Sequence, residues 1–299
     1  MSRADAPLWP VQGPPPARPP GRRGRVGALL AIAAVTAVAI LVTVLAIGRN
    51  SGPPPPPPSL TIRYIEGLTR EQMAAQITAV HAIAVARRQL DPIMTARGYL
   101  AATRSWLTPA WFETPRTRRG LEGFLFPSTY EFIEATPARA LIAQQLAAFH
   151  DIWAGLDLAY ARSKNLTPYD VLVIASMVER EIAAPEERRL AAAVIYNRLK
   201  AHMPLQIDAT LVYGFHLAGG GSITRALLAT DNPYNTYRRR GLPPTPIANP
   251  GAAAIEAAAH PARVNYLYYV LRPGTNRHFW TASYAAFKRY CSSHGYGAC

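Results

Sequence analysis

An apolar stretch that ends in two glutamates carries the chain's most suggestive chemistry. Residues 171–178 are apolar on every face when plotted at 100° per residue, which predicts a helix buried inside a domain. Glu179 and Glu181 follow directly and lie about 160° apart around that helix, so they cannot both point into one cleft. A carboxyl group among apolar neighbours holds its proton near neutral pH and can act as a general acid.

Glu179 is the stronger candidate of the two from the sequence pattern. It shares a helix face with Ala175 and Ser176, whose small side chains leave room for a substrate groove. The alternative is that both glutamates pair with arginines at the end of the helix. Both interpretations stay open at this point.

Polar and aromatic side chains that suit a carbohydrate recur further along the chain. Asn197 places an amide on an otherwise apolar helix face, and a buried amide needs a partner. Gln206 and Asp208 alternate with apolar residues and would share one side of an extended segment, but Asp208 also fits a helix N-cap. The irregular stretches 232–237 and 241–247 carry rings and amides that could hold a sugar or merely stiffen a crossing loop.

The histidine and cysteine positions predict neither a metal nor a cofactor. The seven histidines lack metal-ligand spacing, and two cysteines are too few for a disulfide framework. Cys291 and Cys299 could pair in an oxidising compartment. The formal charge of +14 reflects either a compositional bias toward arginine or attraction to an anionic lipid or a carboxylate-rich polymer.

Local signals place these residues in a mixed body of helices and strands. A strand at 60–65 leads to Thr69, which with Gln72 forms a capping box that begins a helix. Further elements are expected as helices from Thr136-Pro137, Thr167-Pro168, Pro185 and Ser283, and as a hairpin that pairs 266–271 with 277–281. The stretch 121–130 breaks all regular periodicity and predicts a packed loop or short strand.

A run of apolar residues near the N-terminus predicts a membrane anchor. Residues 26–47 are about as long as a bilayer-spanning helix and exceed the apolar core of a cleavable signal. Arg22, Arg23 and Arg25 precede the run, so the positive-inside rule places residues 1–25 in the cytoplasm. The rest of the chain would be exported, and nucleic acid is not an expected partner on that side.

Five ordered blocks between residues 121 and 251 are informative as a set. They are Leu121–Tyr130, Ala175–Glu181, Asn197–Leu199, Leu205–Gly214 and Pro233–Gly251. Together they resemble the endolytic murein transglycosylases of the YceG-like type. The resemblance implies an α+β fold with a single N-terminal transmembrane helix, a small LysM-like α/β module and a mixed α+β catalytic domain.

The domain boundaries follow from combining the resemblance with the sequence pattern. They are a cytoplasmic Pro/Arg-rich tail at 1–25, a transmembrane helix at 26–47, a polyproline linker at 48–59, a shortened LysM-like module at 60–118, a catalytic domain at 119–290 and a C-terminal tail at 291–299. Two features depart from the family pattern. Ile65-Glu66-Gly67 replaces the family's repeated Pro-Glu-Gly units, and an unfamiliar tail follows His278-Phe279.

The resemblance also implies a reaction and a set of site residues. The family cleaves the β-1,4 bond from N-acetylmuramic acid to N-acetylglucosamine in peptidoglycan without water, and its catalytic glutamate, the first of the Val-Glu-x-Glu block, corresponds to Glu179. That residue would protonate the glycosidic oxygen and then take the proton of the muramic C6 hydroxyl as a 1,6-anhydro ring closes. The expected substrate-binding residues are Glu122, Ser176, Asn197, Gln206, Asp208, Tyr234, Asn235, Thr236 and Tyr237. Glu122 is also a catalytic or structural candidate.

Two other functions compete with this interpretation. A muramidase-type hydrolase would use Asp208 as nucleophile or base, with two carboxyl groups roughly 5 to 9.5 Å apart. A non-catalytic scaffold would bind peptidoglycan and be indifferent to the loss of Glu179. For either enzyme, an anchor in the inner (plasma) membrane with the body on the periplasmic side suits the termination of nascent strands. Peptidoglycan synthases are partners that only the resemblance implies.

Overall fold

The structure, a computed structural model, describes residues 33–45, 55–112, 120–217 and 222–296. The chain divides into a unit of residues 1–57 and a compact unit of residues 58–299. Residues 33–45 form helix α1, whose apolar side chains are exposed. Within the described ranges, no helix has the length and hydrophobicity needed to cross a membrane. The predicted span 26–47 extends beyond α1 at both ends, and those ends lie outside the described residues.

The larger unit begins with a strand and a capped helix, as predicted. Strand β1 (Ser59–Arg63) leads into helix α2 (Arg70–Arg88). The Thr69 hydroxyl accepts a hydrogen bond from the Gln72 amide, and the Gln72 side chain accepts one from the Thr69 amide. This capping box satisfies two amides at the start of the helix and so fixes where it begins.

A two-stranded sheet crosses the expected module boundary. Strand β1 pairs antiparallel with strand β2 (Thr129–Ile133), with Ile62 opposite Tyr130. Alternate residues of both strands are buried, which is the pattern of a sheet with one face on the core. The sheet therefore joins a segment predicted as LysM-like to one predicted as catalytic. The boundary at residue 118 itself stays a prediction.

Two helices and an aromatic cluster pack beside this sheet. Helix α3 (Ala96–Ser105) contacts α2, and helix α4 (Ala138–Ala154) contacts α3 and β2. The N-cap of α4 is Pro137 rather than the expected Thr136, whose hydroxyl instead accepts a bond from the Ile133 amide. The rings that pack together here are Phe112, Phe124, Phe149 and Trp153.

Helix α6 (Pro168–Glu181) is the centre of the fold and carries the candidate chemistry at its end. Thr167 and Asp170 form its capping box, and Pro168 lies in its first turn, as the sequence predicts. Every residue from Val171 to Val178 is at most 1% exposed, so the expectation of a buried helix is confirmed. The elements nearby in the chain are α5 (Ala159–Arg162), a 3₁₀ turn at Pro185–Glu187, α7 (Arg188–Lys200), α8 (Asp208–Gly214), α9 (Arg225–Ala229) and α10 (Ala252–Ala259). Helices α7, α8 and α10 pack against α6.

The segment before α8 differs from the extended conformation expected for 205–208. Gln206 has a left-handed φ of 53°, and Asp208 is the first residue of α8 rather than its N-cap, which is Ile207. The Gln206 amide donates to the Thr236 carbonyl, and the Ile207 amide donates to the Thr236 hydroxyl. The loop that contains Thr236 therefore determines the conformation of this turn. Because its partner lies 30 residues away in sequence, local alternation could not reveal it.

The chain ends in the predicted hairpin and helix. Strands β3 (Tyr268–Leu271) and β4 (His278–Thr281) pair antiparallel with Tyr269 opposite Trp280. Helix α11 (Tyr284–Ser293) packs on both strands. Cys291 is buried in α11, whereas its expected partner Cys299 lies outside the described residues.

Candidate active site

Glu179 lies in a closed, charged environment between α6, α7 and the start of α10. Its Oε2 accepts a 3.0 Å hydrogen bond from the amide of Gly251, and its Oε1 lies 3.3 Å from Nη2 of Arg188. Burial raises the pKa of Glu179, whereas the Gly251 amide and Arg188 oppose the rise and the Glu66 carboxylate adds to it. The side chain is 6% exposed, and both oxygens have protein partners. These contacts tie three elements together.

Glu181 lies on another side of the same helix turn and has different partners. Its Oε1 accepts a 3.4 Å hydrogen bond from the Ala209 amide at the start of α8, and its Oε2 accepts a 3.1 Å bond from the Tyr269 hydroxyl. Burial raises the pKa of Glu181, and the nearby Asp208 carboxylate adds to the rise. Both hydrogen bonds lower the pKa, while the positive charge of Arg180 makes the smallest contribution. Glu181 is therefore a shielded acid whose anion has two hydrogen-bond donors ready.

Two of the predicted groove residues, Asp208 and Tyr237, lie near Glu181, and a third, Gln206, is held by Arg198. The Tyr237 hydroxyl donates to Oδ1 of Asp208, and burial together with that carboxylate and the charge of Glu181 raises the pKa of Tyr237. Oε1 of Gln206 accepts a 3.3 Å bond from Arg198. Gln206 and Asp208 are exposed and Tyr237 is half-buried, so this cluster reaches solvent. Asp208 and Tyr237 thus act on the electrostatics of Glu181 and not on those of Glu179.

Asn235 and Thr236 lie underneath the cluster, inside the protein. The Asn235 side chain is fully buried, and its amide donates to three backbone carbonyls at the C-terminal end of α9, those of Leu227, Leu228 and Thr230. The Thr236 hydroxyl accepts from the Ile207 amide and bonds to the hydroxyl of Thr210. Both residues shape the loop that presents Tyr237 and the turn before α8.

Ser176 and Asn197 also bond to the protein backbone. The buried Ser176 hydroxyl donates to the Val173 carbonyl and accepts a 3.0 Å bond from the Ile247 amide. The Asn197 amide donates to the carbonyls of Val264 and Tyr266 at 2.9 Å each, which fixes the chain leading to β3. In this structure both side chains position elements around the site.

Glu122 is the centre of a separate buried network. Its carboxylate accepts bonds from the backbone amide and Nε of Arg70, from Nδ2 of Asn249 at 2.8 Å and from the Tyr213 hydroxyl at 3.1 Å. Burial raises the pKa of Glu122 to about 7, although Arg70 lowers it. Glu122 and Tyr234 both line a cavity of about 160 Å³, and the Tyr234 hydroxyl is hydrogen-bonded to the Thr245 hydroxyl. This network joins the start of α2 to the loop at 120–125.

Several residues near these carboxylates were not singled out from the sequence. Arg198 is 7% exposed and holds the Leu205 and Leu267 carbonyls at 2.7 Å each. Tyr269 and Asn249 contact Glu181 and Glu122 from distant parts of the chain. These contacts depend on tertiary structure.

An open groove of about 350 Å³ runs past this end of α6. Its lining residues are Thr69, Glu71, Gln72, Arg180, Ala209, Val212, Tyr213, His216, Leu217 and Ile247. Ala209, which donates its amide to Glu181, lines the groove, so the cluster around Glu181 lies next to a cleft. The arrangement suits proton transfer to a bound polymer.

Comparison with known proteins decides the family. A sequence model of the YceG-like family matches residues 36–293. The chain belongs to the YceG-like family. A crystal structure of a yceG-like protein from Listeria monocytogenes superposes on this YceG-like chain with a TM-score of 0.62 and 25% identity, over 79% of this chain and 76% of the other. The two proteins share the mixed α+β fold.

Two curated relatives of the YceG-like chain are named endolytic murein transglycosylase. The one from Streptococcus pneumoniae (strain ATCC BAA-255 / R6) is 40% identical over 159 residues, and the one from Bacillus subtilis is 37% identical over 155 residues. Each match spans 51% of this chain. The chain covers 28% of the length of the Streptococcus protein and 42% of that of the Bacillus protein.

Proposed function

We propose that this YceG-like protein is an endolytic lytic transglycosylase that cleaves peptidoglycan glycan strands. The observation that carries the proposal is the shielded Glu181, which lies near Asp208 and Tyr237 and accepts a hydrogen bond from Ala209, a residue that lines an open groove. The names of the two curated relatives support the substrate class. The reaction is the non-hydrolytic cleavage of the bond between N-acetylmuramic acid and N-acetylglucosamine.

A single carboxyl group can perform both proton transfers. Protonated Glu181 would donate its proton to the glycosidic oxygen as the bond to the muramic C1 breaks. The resulting carboxylate, held by the Ala209 amide and the Tyr269 hydroxyl, would accept the proton of the C6 hydroxyl while that oxygen bonds to C1. The products are a 1,6-anhydro end and a free sugar hydroxyl, and the acid is regenerated without water.

The sequence assigns this role to Glu179, and that assignment stays a prediction. The contacts favour Glu181 on two physical grounds. Burial raises the pKa of both glutamates, but Arg188 at 3.3 Å stabilises the anionic form of Glu179, whereas the positive charge near Glu181, that of Arg180, makes the smallest contribution. In addition, two of the predicted groove residues, Asp208 and Tyr237, lie close enough to Glu181 to interact with it electrostatically.

A hydrolase of the muramidase type is the rival reaction. Asp208 is exposed and close enough to Glu181 to raise its pKa, so the two carboxyl groups could act as a pair. Such an enzyme would leave reducing ends where the transglycosylase leaves anhydro ends. The product therefore decides between the two reactions.

Product analysis with matched variants tests the proposal. Full-length protein in detergent is incubated with purified peptidoglycan, and the soluble products are identified by mass spectrometry for the wild type, Glu181→Gln, Glu179→Gln and Asp208→Asn. We expect anhydro-muramic ends from the wild type and their loss in Glu181→Gln, with circular dichroism confirming that the variant folds. Reducing ends that disappear in Asp208→Asn would establish the hydrolase, and loss of products only in Glu179→Gln would return the acid to Glu179. Glycan binding without any product would favour a scaffold.

We further propose that residues 26–47 anchor the protein in the inner (plasma) membrane, with residues 1–25 inside and the body on the periplasmic side. The apolar run, the arginines that precede it and the exposed apolar side chains of helix α1 support this topology. Residues 60–118 would then be a shortened LysM-like module, and nearby peptidoglycan synthases would be partners. Protease added outside intact spheroplasts should digest the body, whereas a protected body would contradict the proposed orientation.

A further inference from the structure

Another buried glutamate, Glu187, accepts hydrogen bonds from the C-terminal hairpin. It ends the 3₁₀ turn before α7 and is 7% exposed. Its carboxylate accepts bonds from the His278 amide at 3.1 and 3.2 Å, from Nδ1 of His278 at 2.7 Å and from Nε1 of Trp280 at 3.4 Å. Burial opposes ionisation, but these hydrogen bonds prevail and lower the pKa of Glu187. The side chain is an anion that fixes two residues of β4.

The two residues that Glu187 holds both pack against Tyr269. Trp280 stacks on the Tyr269 ring with centroids 5.0 Å apart, and the two are cross-strand partners. His278 meets the same ring edge-on at 5.6 Å. The Tyr269 hydroxyl at the far end of this stack donates to Oε2 of Glu181. A continuous set of contacts therefore leads from one glutamate to the other.

We propose that Glu187 is a positioning residue for the reaction. Its hydrogen bonds to His278 and Trp280 fix these two side chains against Tyr269 and so hold the Tyr269 hydroxyl in contact with the Glu181 carboxylate. This role rests on the proposed function, in which Glu181 is the general acid that the Tyr269 hydroxyl contacts. Without Glu187, three donor groups on His278 and Trp280 lose their acceptor, and these two side chains are no longer fixed against the Tyr269 ring. The hydroxyl would then leave the carboxylate for part of the time.

The inference has a pH signature that a merely structural role lacks. A hydroxyl that donates to a carboxylate favours the ionised form, so its loss raises the pKa of Glu181 further. The charged and titratable groups that face Glu181 are Asp208 from α8, Tyr237 from the segment between α9 and α10, Tyr269 from β3 and Arg180 from its own helix. Only Tyr269 depends on Glu187 through the contacts described.

The test compares Glu187→Gln, Tyr269→Phe and the double variant, with Glu186→Gln as the matched control. Glu186 is the adjacent, half-exposed glutamate, which pairs with Arg277 at the surface. The rate of anhydro-end release is measured from pH 5 to 10. We expect the alkaline limb to move upward by about half to one pH unit in Tyr269→Phe and in the same direction in Glu187→Gln. The double variant should shift no further than Tyr269→Phe, and the control should not shift.

A second readout keeps this inference separate from the reaction. The pKa of the Glu181 carboxyl is followed by carbon-13 NMR in glutamate-labelled full-length protein, where Glu187→Gln should raise it whether or not the protein cleaves peptidoglycan. His278→Asn, which keeps a side-chain donor, should behave more like the wild type than His278→Phe does. An unchanged carboxyl pKa in folded Glu187→Gln, or shifts that add in the double variant, would overturn the positioning role. Absence of anhydro products from the wild type would overturn the reaction instead.

Discussion

Glu179 and Glu181 leave the last turn of helix α6 toward different neighbours, although only one residue separates them. Glu179 reaches Arg188 and a backbone amide, whereas Glu181 reaches the Tyr269 hydroxyl and a second amide. The spacing alone requires this, because residues two apart on a helix point about 160° away from each other. One turn of a buried helix thus supplies a structural tie on one side and a candidate acid on the other.

Replacing each carboxylate by an amide should have a different effect: a loss of stability at Glu179 and a loss of activity at Glu181. Glu179→Gln weakens the compensation of the Arg188 charge in a largely buried place, so we expect a loss of about 1–3 kcal/mol in the free energy of unfolding. Glu181→Gln should instead lower the turnover rate by about a hundredfold or more, because the amide cannot donate an acidic proton. Urea denaturation and product release, measured on both variants, check the pair. The assignment fails if Glu181→Gln turns over at the wild-type rate.

Among the predicted groove residues, substitution of a buried one should mainly affect stability, and substitution of an exposed one should mainly affect substrate binding. Asn235→Ala removes an amide that holds three carbonyls beneath the site, so it should lower the free energy of unfolding by about 1–3 kcal/mol. Gln206→Ala changes an exposed side chain and should mainly raise KM for glycan strands. The melting temperature and the steady-state kinetics of both variants are the measurements. A large stability loss in Gln206→Ala, with unchanged KM, would contradict its place in the groove.

The sequence predicts features that local chemistry determines. The capping boxes at Thr69 and Thr167 and the fully buried helix α6 follow from neighbouring residues, and each is present. The pairing of β1 with β2 joins strands some 70 residues apart, which no periodicity in either strand reveals. The left-handed turn at Gln206 likewise depends on a loop 30 residues downstream.

The candidate site shows the same division. Residue type and burial pattern singled out the end of α6, and Gln206, Asp208 and Tyr237 were three of the nine residues expected to bind substrate; that these three cluster is visible only in the structure. The choice between Glu179 and Glu181 depends on side chains from α7, α8 and β3, whose approach is a tertiary property. The sequence therefore predicts that the last turn of α6 carries the chemistry, and a choice between its two glutamates needs contacts that only the tertiary structure provides.

Glu122 should make stability depend on pH in an unusual direction. Burial raises its pKa from 4.5 to about 7, so between these values the folded protein holds a proton that the unfolded chain releases. This contribution to stability is fully present below about pH 4.5 and is lost as the pH rises through 7. The shift corresponds to a free-energy loss on the order of 3 kcal/mol.

Chemical denaturation at pH 5 and pH 8 measures this contribution. In Glu122→Gln the decrease in the free energy of unfolding between these pH values should be smaller than in the wild type by that amount. The variant Glu131→Gln, which changes an exposed glutamate of β2, should keep the wild-type difference. Equal pH dependence in all three proteins would show that Glu122 does not titrate in this range.

Gly123 should be far less tolerant of a side chain than Gly241. Both have a left-handed backbone, with φ of 90° and 88°, so alanine costs about 1–2 kcal/mol at either position through strain alone. A Cβ on Gly123 would lie 2.6 Å from Cγ of Pro246, a ring atom that cannot rotate away, whereas a Cβ on Gly241 would meet no atom of the described chain within 4 Å. The clash should lower the free energy of unfolding by a further ~1–3 kcal/mol. It should also disturb the 2.9 Å bond from the Gly123 amide to Asn249, which ties this loop to the Glu122 network. Urea denaturation of Gly123→Ala and Gly241→Ala gives the difference directly, and equal losses in the two variants would mean that the loop at 120–125 can move away from Pro246.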